Sequence, residues 1–199
     1  KGFQVVAELT KPLECEKAII QVMEKFNRID GLVNNAGVND GVGLEKGNYE
    51  AFISSLHKNL VHYYLMAHHC LPYLKESGGA IVNIGSKTAE TGQGNTSGYA
   101  ASNGGRNALT REWAVELLKY GIRVNEVVVA ECYTPLYEKW IKTFEAPADK
   151  LKSINEKIPL EKRMTTPVEI ANMVAFLLSD RSSYTTGQLI HVFGVYVHL

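Results

Sequence analysis

Two hydroxyl side chains stand out by type and spacing. Ser86 closes an apolar run, and Tyr99 follows thirteen residues later across a polar, Gly-rich stretch, KTAETGQGNTSG. A buried strand ending at Ser86 and a helix opening at or just before Tyr99 would aim the hydroxyl and the phenol at one another. A phenol is a usable general acid or base, but its ordinary pKa is about 10. Work near pH 7 therefore needs a depression worth about 4 kcal/mol, and a nearby cation is the ordinary source. A serine hydroxyl beside the phenol orients a carbonyl or alcohol by hydrogen bonding. Asn103 lies four residues beyond Tyr99 and shares its helical face. The stretch suits proton transfer coupled to a second event.

The elements that must position these groups alternate along the chain. Phe3 to Glu8 is a β-rich run, and Lys11-Pro12 opens a helix with Ala18, Ile19, Val22, Met23 and Phe26 at helical spacing. GLVNNA (Gly31–Ala36) reads as a short strand, and a long helical pattern runs from about Asn48 to Lys75, with Pro72 in its last turn or at a kink. Strand Ala80–Gly85, helix Tyr99–Leu118 and strand Arg123–Ala130 follow. Thr134 to Ile158 carries short helical pieces and no strand, so a lid insertion is expected over about 134–160. Helix Pro167–Leu178 and strand Gln188–Val192 complete the order. Nearly continuous Val/Ile strands between helices predict an α/β, doubly wound parallel sheet covered on both faces. Ligands of such sheets bind beyond the carboxyl ends of the strands, where Asn35-Ala36-Gly37, Ser86 and Ala130-Glu131 would meet.

Composition narrows the function. With 199 residues, 45% of them apolar, one core and a single domain are expected. Twenty-one basic residues balance twenty-one acidic ones, so neither nucleic acid nor an anionic membrane is favoured as a partner. Cys15, Cys70 and Cys132 are odd in number and far apart, which argues against disulfides and thiolate metal sites and for a cytoplasmic location. No run approaches the roughly 18 apolar residues of a membrane span. His57, His62, His68 and His69 show no H-E-x-x-H pattern and read as surface or interface histidines, with no metal expected. Taken alone, Asn34 and Asn35 read as ties between strand ends, and Asn59 as a surface or helix-bending polar residue.

Together, NNAG at Asn34–Gly37, Asn59 in the long helix, Ser86, Tyr99 in YAASNGG and IRVNEV at Ile122–Val127 resemble the short-chain dehydrogenase/reductase family over essentially the whole chain. The resemblance implies a Rossmann-like fold and an oxidoreductase moving a hydride between NAD or NADP, NAD being preferred, and a secondary alcohol or carbonyl. It implies a tetrad in which Asn59 positions a relay water, Ser86 orients the carbonyl and Tyr99 exchanges the proton. The tetrad's lysine, which lowers the tyrosine pKa and holds the nicotinamide ribose, falls at Asn103. Cofactor contacts are implied at Glu8, Asn35, Ala36, Gly37, Tyr99 and Thr134. By the same resemblance the first residue falls just before the family's third strand, so the opening strand and the glycine-rich pyrophosphate turn are not in this sequence. Oligomers, homotetramer or homodimer, would form through the helices bearing Tyr63, Tyr64 and Trp113.

Several positions depart from the family. Asn103 brings no charge, so the expectation is little activity, a strong gain on Asn103→Lys or, as the alternative, a binding or structural role. Lys87 is adjacent to Ser86 and would point to the opposite face. Glu126 interrupts an apolar strand, and Phe193-Gly194-Val195 stands where the family has Asp-Gly-Gly, features of a degenerate copy. The AEC-x-TPLY string from Ala130 resembles the L-fucose or L-rhamnose type of sugar dehydrogenase. For such a small-molecule substrate, Glu131, Glu90 and Gln93 would bind hydroxyls.

Overall fold

The computed structural model describes residues 2–194. Val195, the last residue of the Phe-Gly-Val departure, lies outside them. Helix α1 (Pro12–Phe26) leads into β1 (Gly31–Asn34). Helix α2 (Tyr49–Leu56) continues through a π-helical turn, His57–Val61, into α3 (His62–Ser77), which contains Pro72 in its interior. Then come β2 (Ala80–Ser86), the short α4 (Thr88–Thr91), α5 (Ser97–Glu116) and β3 (Arg123–Val129). Helices α6 (Pro135–Ile141), α7 (Pro147–Asn155) and α8 (Pro167–Leu178) precede β4 (Leu189–Val192).

The four strands form one parallel sheet in the order β1-β2-β3-β4. Strand period places Ile81 and Val82 on opposite faces. Ile81 packs with Ile19 of α1, Tyr63, Ala67 and Leu74 of α3, and Trp113 and Ala114 of α5. Val82 packs with Val127 and with Leu177 of α8. Both faces are therefore covered, as the nearly continuous apolar strands require. Tyr63 and Trp113 are core residues, whereas Tyr64 stays half exposed. Helix α8 starts where Thr166 and Glu169 make a reciprocal capping box around Pro167.

One expected element is absent. Phe3–Glu8 forms no strand, because β propensity needs a ladder neighbour, and β1 pairs with β2 on its only partnered edge among the described residues. The segment instead attaches to α1. Phe3 meets Phe26 edge-on at 5.9 Å, and the Glu8 N–H donates to Glu14 Oε2 at 2.6 Å.

A chain of buried polar groups crosses the sheet beneath the strand ends. Asn34 Nδ2 donates to Asn83 Oδ1 (3.0 Å), Asn83 Nδ2 to Thr110 Oγ1 (2.9 Å), and Thr110 Oγ1 to Glu126 Oε2 (3.0 Å). With its amide turned to suit its neighbours, Asn107 donates to Glu126 Oε1 at 2.7 Å and to the Asn103 carbonyl at 3.0 Å. Glu126 is thus a satisfied core carboxyl, and its place in an apolar strand follows from donors on α5. Burial pushes its pKa up to about 7, against the Thr110 hydrogen bond and the charge of Arg106. The unfolded chain releases that proton near the ordinary 4.5, so between 4.5 and 7 only the folded state retains it. Stability is expected to fall by about 3 kcal/mol as pH rises through that window and to stay level above it. Glu126→Gln should flatten that decline, as read from urea midpoints against pH.

Candidate active site

The carboxyl ends of β1, β2 and β3 open into a crevice of about 710 Å³, within the range of small-molecule sites. Its walls include Asn35, Gly37, Gly85, Ser86, Tyr99, Arg106, Ala130, Cys132 and Thr134, with α8 along one side. Ser86 ends β2, and Tyr99 sits in the first turn of α5, so strand and helix bring hydroxyl and phenol to one cavity. The Ser86 oxygen accepts from the Thr88 hydroxyl at 3.0 Å and from the Thr88 N–H at 3.3 Å. Those donors fix its direction and leave its own proton for a ligand oxygen.

Asn59 is fully buried in the π-helical turn, a local widening of the helix that recurs at functional sites. Its Oδ1 accepts from the Val38 N–H at 2.7 Å and its Nδ2 donates to the Ser55 carbonyl at 3.0 Å. The side chain thereby anchors the loop after β1 that presents Asn35, Ala36 and Gly37. His62 holds the same loop, its Nε2 lying 3.0 Å from the Ala36 carbonyl. Burial lowers the His62 pKa, so the ring is neutral at pH 7. One of the four histidines is therefore a buried loop anchor and not a surface residue.

Asn103 is also fully buried, and it does not line the crevice. Its Nδ2 donates to the Tyr99 carbonyl at 2.8 Å, and its Oδ1 accepts from Arg106 Nη1 at 3.0 Å. Arg106 was missed in the sequence, although its position was legible: seven residues beyond Tyr99 and three beyond Asn103, it shares their helical face. Its Nε donates to the Asn59 carbonyl at 2.7 Å and its Nη1 to the Ile84 carbonyl at 3.0 Å. The guanidinium stacks 4.2 Å above the Tyr63 ring. The crevice therefore contains a cation, on a residue type and at a position the tetrad does not supply.

These elements match known proteins along nearly the whole chain. A family model described as enoyl-(acyl carrier protein) reductase matches residues 2–194. The chain is 34% identical to the 3-oxoacyl-[acyl-carrier-protein] reductase FabG of Thermotoga maritima over 190 residues, 95% of this chain and 74% of that protein. It is 35% identical to levodione reductase of Leifsonia aquatica, covering 95% of this chain and 72% of that one. The solved structure of the dehydrogenase Cj0485 superposes with a TM-score of 0.94 at 44% identity, covering 99% of this chain and 75% of that chain. The chain belongs to the short-chain dehydrogenase/reductase family. It is accordingly an oxidoreductase of the kind that acts on CH–OH groups.

Other polar residues of this short-chain dehydrogenase/reductase lie at or beyond the rim of the crevice. Thr134 lines the crevice and caps α6, its Oγ1 accepting from the Tyr137 N–H at 3.2 Å. Lys87 follows β2, and its Nζ lies 2.6 Å from Glu131 Oε1, while Glu131 Oε2 is buried without a partner among the described residues, and Glu131 does not line the crevice. Glu90 is exposed and pairs with His191 at 2.7 Å, and Gln93 is exposed in the loop between α4 and α5. Neither lines the crevice. Glu8 is outside it too: its Oε1 accepts from the Thr10 N–H and hydroxyl, and these bonds lower its pKa. Burial raises the Cys132 thiol, which keeps it protonated and out of nucleophilic chemistry.

The cavity fits the nicotinamide half of a dinucleotide. A Cβ on Gly37 would come within 2.9 Å of Arg106 Nη2, and that nitrogen is a buried donor without a partner among the described residues. Among the described residues no His, Cys, Asp and Glu cluster could hold a metal ion, and no helix is long and apolar enough to cross a membrane.

Proposed function

We propose that the protein transfers a hydride between NAD or NADP and a secondary alcohol or carbonyl carbon, with Tyr99 exchanging the accompanying proton. The observation that carries this reading is the meeting of Ser86 and Tyr99 in one crevice with Asn35, Gly37 and Thr134. When bound, the nicotinamide supplies or accepts the hydride. Tyr99 gives its phenolic proton to the developing alkoxide in reduction and takes it back in oxidation. Ser86, held by Thr88, donates to the same oxygen and orients it. Thr134, whose oxygen lone pair is occupied by Tyr137, retains its proton for the carboxamide. Asn59 and His62 keep the Asn35–Gly37 loop against the ligand.

Within this reading the substrate is a small, hydroxyl-bearing molecule of the sugar type, with Glu131, between the crevice-lining Ala130 and Cys132, as a candidate for its hydroxyls. Helices α6 and α7 form the lid. The half-exposed Tyr64 and the exposed Val115 and Leu118 make the α3–α5 face the surface for pairing into a dimer or tetramer. The free cysteines suit a reducing, cytoplasmic setting. The test is a titration with NADH and NADPH followed by nicotinamide fluorescence, then turnover on polyols, sugars and apolar ketones. Saturable binding and oxidation of a secondary alcohol are expected; binding of neither cofactor would refute the reading.

A further inference from the structure

Arg106 is about the least expected side chain in this site. It is 3% exposed, and a buried cation is costly unless its donors are engaged. Nε and Nη1 are engaged by the carbonyls of Asn59 and Ile84 and by the Asn103 amide oxygen. Nη2 is not: it is buried with no partner among the described residues. It stands behind Gly37, which lines the crevice with Arg106 and where an added Cβ would lie 2.9 Å from this nitrogen. The backbone carbonyls and the Tyr63 ring hold the guanidinium in place, so its remaining donor keeps a fixed position directly beneath the Gly37 backbone of the crevice wall.

We propose that Arg106 is the cation of this active site, its Nη2 donating to a ribose hydroxyl of the nicotinamide half of the cofactor, in place of the charge that Asn103 lacks. The inference rests on the hydride-transfer reading above. Asn103 then acts as a positioning residue, since its Oδ1 holds Nη1 and its Nδ2 ties that contact to the backbone of Tyr99. The charge comes from one helical turn further along α5, on a longer side chain that reaches back toward the same cavity.

The probe is reduced nicotinamide mononucleotide, which carries the nicotinamide ribose without the adenine half, titrated by its fluorescence against the unaltered chain, Arg106→Met and Arg106→Lys. Arg106→Met is expected to weaken binding about tenfold or more, the loss of one charge-assisted hydrogen bond. Arg106→Lys should also weaken binding, though less than Arg106→Met, because one ammonium keeps the charge but cannot hold the Asn59 and Ile84 carbonyls and reach the ribose at once. An analogue lacking the accepted hydroxyl, 2′-deoxy or 3′-deoxy, should bind the unaltered chain about tenfold more weakly and show no further loss with Arg106→Met, as expected for a shared contact. A folded Arg106→Met that binds as tightly as the unaltered chain would overturn the inference. So would equal affinity of both deoxy analogues and the parent ligand for the unaltered chain, a comparison that decides the matter should Arg106→Met fail to fold. No binding of the mononucleotide by the unaltered chain would remove the hydride-transfer reading itself, whereas binding that is indifferent to Arg106 removes only the role of Arg106.

Discussion

Tyr99→Phe is expected to cut hydride transfer about a thousandfold while leaving cofactor affinity within about threefold. The phenol is the only hydroxyl of α5 among the residues lining the crevice, and phenylalanine keeps the ring while removing the transferable proton. A defect confined to turnover marks a group that acts only as the reaction proceeds. Steady-state rates and nicotinamide fluorescence on the same preparations separate the two quantities. Equal turnover by Tyr99→Phe would take the proton step away from this residue.

Asn103→Lys should destabilise the protein when made alone and not simply restore activity. Asn103 is fully buried, and its Oδ1 lies 3.0 Å from Arg106 Nη1. An ammonium placed there confronts a guanidinium across a few ångströms, and two like charges about 4 Å apart repel by about 4 kcal/mol at an effective dielectric constant of 20. The double substitution Asn103→Lys/Arg106→Met removes the conflict and is expected to recover most of the lost stability. Urea midpoints of the two single variants and the double should therefore be strongly non-additive. Hydride transfer is expected to rise from the single variant to the double, because the lysine then has the cavity to itself. Additive midpoints would show that Arg106 and residue 103 do not share this space.

Much of the architecture was legible because its signals are local or periodic. The helix beginning at Pro12 has a proline at its first position, and α8 has a capping pair, so both starts could be read from types alone. The spacing of Ser86 and Tyr99 survived as geometry because a strand end and a helix start are fixed by topology. Phe3–Glu8 failed because strand propensity says nothing of whether a neighbour exists. Glu126 read as a defect in an apolar strand, since its partners Thr110 and Asn107 come from α5 and a lone carboxylate carries no sign of them. His62 read as one of four helical histidines, and only the fold brings the Ala36 carbonyl to it.

The hardest feature to read was the charge. Asn103, at the lysine position, carries no charge, whereas the arginine sits one turn later on the same face. A helical projection of 99, 103 and 106 contained that answer, but the reach of an arginine past Asn103 to the carbonyls of Asn59 and Ile84 depends on the π-helical turn and β2 being where they are.

The central claim is that this crevice holds a nicotinamide between Ser86, Tyr99 and Thr134. A crystal structure of the protein with NADH or NADPH at saturating concentration tests it most directly. The predicted result is an ordered nicotinamide ring beside Ser86 and Tyr99 with its ribose over Gly37 and Arg106; a cofactor ordered elsewhere on the molecule, with this crevice empty, would contradict it.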